Sequence, residues 1–164
     1  MFGAGFAAVR WKEHTLPAAE RLDDFSEQAA PAIDEFNEVS QALPQVEELE
    51  ARSASAASRQ ELSQTLRKLQ SRAVANQGRL GRIVTPDPGL QSIRQALIDA
   101  QTAQVATLAA GLEYLATRAP EGLTGPSGVL AAQAAMVRAG HEFQNRQSAY
   151  LKTHGLAARS PNPG

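Results

Sequence analysis

From Leu22 onward the apolar residues recur alternately three and four positions apart: Leu22, Phe25, Ala29, Ala32, Phe36, Val39 and Leu43. That spacing holds one apolar seam on a single face of a helix for about six turns. It predicts a first helix from Pro17 to Leu43, capped by Thr15, with Pro17 in the first turn where a missing N–H costs no internal bond. Pro31 lies inside this stretch and removes one bond of the ladder, so a kink is expected there. It falls off the seam, and a bend at that point leaves the apolar face whole.

A second series, Leu62, Leu66, Leu69, Ala73, Asn76, Leu80 and Ile83, follows Ser58-Arg59-Gln60-Glu61, the pattern of a capping box. It predicts a second helix over Gln60–Ile83. Upstream, Val46 and Leu49 are apolar but Ser53 to Ser58 is small and serine-rich, which favours a short helix at Gln45–Arg52 followed by a bend over one long helix from Gln45. A third helix opens with Asp87 as cap and Pro88 in the first turn. Its seam is Leu90, Ile93, Leu97, Gln101, Gln104, Leu108, Gly111 and Leu115, and it ends before Pro120. A fourth opens at Ser127, carries neighbouring residues seven apart (Val129 and Leu130, Met136 and Val137, Phe143 and Gln144, Tyr150 and Leu151) and closes at Gly155.

Four helices of roughly 25 to 30 residues, joined by short connections, predict an all-α fold: an antiparallel up-down-up-down four-helix bundle. The bundle is expected over residues 16–155, between an N-terminal segment of residues 1–15 and a flexible tail of residues 156–164. Small seam residues, Ala29, Ala32, Ala73, Gly111 and Gly140, are expected to let helix backbones approach closely. Ile98 and Leu112 sit off the third seam and mark either a dimer face or a wider buried stripe.

Composition agrees: in 164 residues, 43% are hydrophobic but only 5% aromatic, and alanine, leucine, glutamine, glutamate and arginine dominate. The missing cysteine excludes disulfides, a thiol nucleophile, thiolate metal sites and c-type haem. His14, His141 and His154 form no pair at helical spacing and no Glu-x-x-His occurs, which argues against a di-iron centre. Met136 and His141 are the fourth helix's only candidate haem ligands, and His141 reads as a flank residue. Gly78-Arg79-Leu80-Gly81 lacks the lysine and spacing of a phosphate loop, and there is no Gly-x-Ser-x-Gly elbow. No catalytic residue, metal or cofactor is expected.

Charge changes the picture more. Residues 1–50 carry 11 acids and 3 bases, a net of −8, whereas residues 51–164 carry 6 acids and 13 bases, a net of +7. On the first helix Glu20, Glu27 and Asp34 recur every seven residues away from the seam, with Asp24, Glu35 and Glu38 nearby. On the second, Arg59, Arg67, Lys68, Arg72, Arg79 and Arg82 face only Glu61. Opposite flanks are expected to attract and set the helix pairing. Nucleic-acid binding by the basic face is disfavoured, since no aromatic is interleaved to stack on a base.

The leading expectation is therefore a non-enzymatic interaction or scaffold module that docks a protein partner through Glu20, Asp24, Glu27, Asp34 and Glu38. At the N-terminus Phe2, Phe6 and Val9 share a helical face beside Arg10, Trp11 and Lys12, the composition of a membrane-water interface or of a partner contact. The alternative is an extracytoplasmic sensor bundle, anchored by a membrane segment upstream of Met1, with Phe2, Phe6 and Trp11 at the membrane or partner. Its polar ligand pocket would be formed by Asn76, Gln101, Gln104, Gln144 and Gln147. The same amides are otherwise expected to pair with one another and fix register. Without an anchor the chain is expected in the cytoplasm, and self-association is compatible with either reading.

Overall fold

A computed structural model describes residues 17–156, and over these the chain is all-helical. In chain order the helices are α1 (Ala18–Ala42), α2 (Val46–Ser53), α3 (Ala56–Gly81), α4 (Pro88–Thr117), α5 (Glu121–Thr124) and α6 (Val129–Thr153). Thr15, His14 and the Phe2, Phe6, Trp11 cluster lie outside the described residues.

The first two seams are buried as their periodicity predicts. Phe25, Ala29, Ala32 and Val39 of α1 face the interior, with Leu22, Phe36 and Leu43 half-buried at the margins. Pro31 is exposed, and α1 continues through it. At the start of α1 the cap position belongs to Pro17, without a side-chain cap, instead of to Thr15 two residues earlier. The short helix and bend form where the serine-rich stretch predicts them, but the capping box does not. The chain leaves α2 through Ala54, and the extended backbone of Ser55 brings its Oγ within 3.1 Å of the Ser58 N–H. Ser55 is thus the cap, and Glu61 instead meets Arg52 at 3.5 Å.

Helix α4 is capped as expected, with Asp87 Oδ1 accepting from the N–H groups of Gly89 (2.8 Å) and Leu90 (3.3 Å). It buries the predicted seam except Leu97, which is half-buried, and adds Ala96, Ala100, Thr107, Ala110 and Tyr114, so it is covered on two sides. Ile98 and Leu112 are half-buried against the core, which makes them part of this wider stripe.

Helix α6 departs furthest from expectation. It starts after Gly128, not at Ser127, and only Val129 and Tyr150 of its predicted pairs are buried. Adjacent residues on a helix point about 100° apart, so one member of a pair faces α4 while the other leaves the interface: Leu130 is 46% and Val137 55% exposed. Gly140 is not a close-approach site either, since a Cβ there would meet nothing within 4 Å, whereas one at Gly111 would meet Leu66 Cδ1 at 3.2 Å. The end is as predicted: Gly155 adopts φ 63°, and the N–H groups of Gly155 and Leu156 close back on Lys152 and Leu151.

Helix α4 packs against α3, α6 and α1, α3 also packs against α1, and α6 lies mainly along α4. Two apolar clusters result. One joins Val39, Leu49, Leu62, Leu66, Leu69, Leu108 and Leu115 among others. The second joins Phe25, Leu80, Ile83, Leu90, Ile93 and Tyr150. Residues of the two clusters are separated on α3 by the buried Asn76 and on α4 by the buried Gln101 and Gln104, and on α1 Phe36, whose carbonyl Gln104 bonds, lies between them. Each fully buried leucine contributes roughly 1.5–3 kcal/mol of apolar burial. Leu66, 1% exposed and seated against Gly111, is a direct test. Leu66→Ala should cost about 2–5 kcal/mol in urea denaturation with an unchanged slope.

Candidate functional site

The acidic face of α1 divides into two parts. Glu20, Asp24, Glu27 and Asp34 are exposed and make no ion pair with a described residue. Glu38 does not belong with them: Arg72 Nη2 donates to its Oε2 at 2.7 Å while Nε and Nη2 grip both Glu35 oxygens at 2.7 and 3.0 Å. The hydrogen bond from Arg72 holds the Glu35 carboxyl below its ordinary range, and the two carboxylates hold Arg72 above its own. Among the described residues the expected attraction between flanks forms ion pairs at Arg72, which α3 presents at the level of the last turns of α1, and the charge of Arg79 also acts on Glu35.

The five amides part company. Asn76 Nδ2 donates to Gln101 Oε1 (2.8 Å) and to the Ala32 carbonyl (2.8 Å). Gln101 Nε2 then donates to Gln104 Oε1 at 2.7 Å, and Gln104 Nε2 to the Phe36 carbonyl at 2.9 Å and Ser40 Oγ at 2.7 Å. All three are within 1% of complete burial, and the relay runs one way from α3 through α4 to α1. Asn76 Oδ1 is its unpaired starting acceptor. These amides are consumed by one another, in the register-fixing arrangement. Gln144 is exposed and Gln147 is half-buried between α6 and α1, so neither joins them. The five residues form no common pocket.

The third constellation went unnoticed in the sequence, where Asp87 figured only as a cap and Tyr150 only as an apolar anchor. Asp87 Oδ1 holds the first turn of α4, while its Oδ2 accepts from Arg21 Nε of α1 (2.8 Å) and from the Tyr150 hydroxyl of α6 (2.8 Å). One carboxylate, 8% exposed, thus ties three long helices at one end of the fold. Burial pushes its pKa up, but the bonds from Tyr150, Arg21 and the amides of Leu90 and Gly89 outweigh burial and hold it below its ordinary value. Burial and the neighbouring carboxylate raise the Tyr150 phenol. The residues are 66 and 63 positions apart, and no local pattern could announce them.

Beside this node opens a cleft of about 540 Å³ whose walls include Ser92, Arg146, Thr153 and His154. Arg146 is engaged with Glu142 and with the Ser92 carbonyl, and the His154 ring leans on Tyr150 with centroids 4.3 Å apart. His141 is exposed. Among the described residues no group of three or more His, Asp and Glu is placed to hold a metal, and no helix is long and apolar enough to cross a membrane.

Two outcomes are expected. Gln101→Ala interrupts the relay and leaves Gln104 Oε1 without its donor, so it should cost about 1–3 kcal/mol in chemical denaturation. For Asp87 the folded pKa is depressed, so its stabilisation is complete above the unfolded value of about 3.9 and fades as pH falls through that value and then the lower folded one. Unfolding free energy measured from about pH 7 down to pH 2.5 should fall across this window, and Asp87→Asn should flatten the fall. Equal slopes in both proteins would mean the node contributes nothing. Against this geometry stand no outside comparisons, for no family model, curated protein or solved structure matches the chain.

Proposed function

We propose that the chain is a non-enzymatic interaction module, an antiparallel up-down-up-down bundle of α1, α3, α4 and α6 whose acidic α1 face docks a basic protein partner. The helix directions are supported by residue pairs. Late α3 meets middle α1 at Asn76 and Ala32, while earlier α3 meets later α1 at Arg72 and Glu38. Ser92 near the start of α4 meets Arg146 near the end of α6. The non-enzymatic reading is supported by the engagement of the polar side chains that converge: Asp87, Arg21 and Tyr150 hold one another, and the buried amides do likewise.

The observation that carries the docking role is the difference in compensation along α1. Glu35 and Glu38 share an ion pair with Arg72, but Glu20, Glu27 and Asp34, repeating at seven-residue spacing, are left as an exposed negative edge. Such an edge steers oppositely charged partners and sets the salt dependence of their binding.

Fluorescence anisotropy with a lysine-rich peptide tests this. Binding should weaken by roughly an order of magnitude between about 50 and 300 mM salt. The double reversal Glu27→Lys with Asp34→Lys should abolish it, while Glu113→Lys with Glu121→Lys, exposed acids remote in sequence from α1, should leave it in place. Equal loss from both pairs would reduce the effect to net charge and remove the docking face.

A further inference from the structure

Helices α1 and α6 both flank α4 but barely meet each other. The gap between them is a groove of about 280 Å³, floored by Phe25 and Ile93 and walled by Leu22 and Ile33 of α1 and Phe143 of α6. Phe25 and Ile93 are buried beneath it, while Leu22, Ile33 and Phe143 are half-buried with part of their apolar surface open. Asp34 lines the same groove, and the exposed Asp23 and Glu27, about three and two helical turns before it, share its flank of α1.

We infer that this groove seats an amphipathic helix of a partner protein, its apolar stripe on Leu22, Ile33 and Phe143 and its lysines or arginines along Asp23, Glu27 and Asp34. The inference rests on the acidic docking role proposed above and adds the shape of the partner to its charge. Three features select a helix. The α1 wall from Leu22 to Ile33 is about 17 Å long at 1.5 Å per residue, three helical turns. Anchors at i, i+4 and i+7 on an incoming helix span about 10 Å and fit within that length. The volume lies below the roughly 300–1,000 Å³ of small-molecule sites, and suits a few anchor side chains better than a whole ligand. Charge complementarity fixes the sign: the rim on the α1 side is acidic, and a helix with acidic flanks would be repelled by it.

The full chain is titrated with two labelled peptides of identical composition. One places leucines at i, i+4 and i+7 with lysines on the flanks; the other scrambles that order. The patterned peptide should bind at least roughly tenfold tighter, since only it can present anchors and charges together. Ala30 and Ser26 line the groove and are exposed, so Ala30→Trp, or Ser26→Trp should the first unfold, fills it without touching the rim charges. Either substitution should erase the preference for the patterned peptide and leave the weak binding of the scrambled one; Val74→Trp, at an exposed α3 position, should change neither.

If Glu27→Lys with Asp34→Lys weakens both peptides equally and Ala30→Trp changes nothing, the acidic face stands and the groove proposal falls. If neither peptide responds to the charge reversal, the acidic docking role falls as well. Replacing Phe2, Phe6 and Trp11 together by serine in the full chain supplies the last arm. A tenfold or greater gain in affinity for the patterned peptide would assign the groove to the chain's own N-terminal segment and overturn the partner helix; unchanged affinity supports it.

Discussion

Three helices of this fold can stand in only one vertical register because three buried amides run through them. An apolar seam that repeats every seven residues is nearly indifferent to sliding by one repeat, about 10 Å, since leucine replaces leucine. The relay from Asn76 through Gln101 to Gln104 is not indifferent. Any slip would carry two amide donors away from the Ala32 and Phe36 carbonyls and strand them in an apolar interior, where an unpaired polar group costs on the order of 1–3 kcal/mol. The relay also lies between the two apolar clusters, so each cluster closes against a polar layer whose position is already set.

Register along the axis is thereby determined for α1, α3 and α4, but α6 contributes nothing to the relay. Its position is set at the far end of the fold by Asp87, whose carboxylate bonds the α4 amides, Arg21 and Tyr150 together. The two polar devices divide the labour: one aligns three helices at mid-height, and the other fastens α4, α1 and α6 at one end. In both, the side chains bond chiefly to one another and to helix backbone, with Asn76 Oδ1 left as the relay's unpaired acceptor.

How much of this was legible in the sequence depended on distance. The seams of α1, α3 and α4, the Asp87 cap, the bend after α2 and the Gly155 terminus follow from patterns within a few residues, and all lie where the spacing puts them. The Ser55 cap was missed because a capping box is read from four residues, whereas its formation depended on where α2 released the chain. Helix α6 was misjudged because a paired apolar pattern suits a helix buried on a broad face, and this one is covered fully only by α4. The buried amides were legible as residues that must find partners. Which of them did so was not, for Gln144 and Gln147 carry the same side chain as Gln101 on a helix with a different neighbour.

The two fully buried residues of α6, Val129 and Tyr150, sit near its opposite ends, with half-buried or exposed positions between them. Detaching this helix would surrender the Tyr150 bond and the contacts along α4 yet leave the relay among α1, α3 and α4 untouched. The hydrogen-bonded alignment of the other three helices is therefore independent of α6, whose own seat is its long packing along α4 together with the Tyr150 bond. Because one wall of the α1–α6 groove rides on that helix and the other on α1, the width of the groove follows how α6 packs along α4, independently of the relay that aligns α1 with α4.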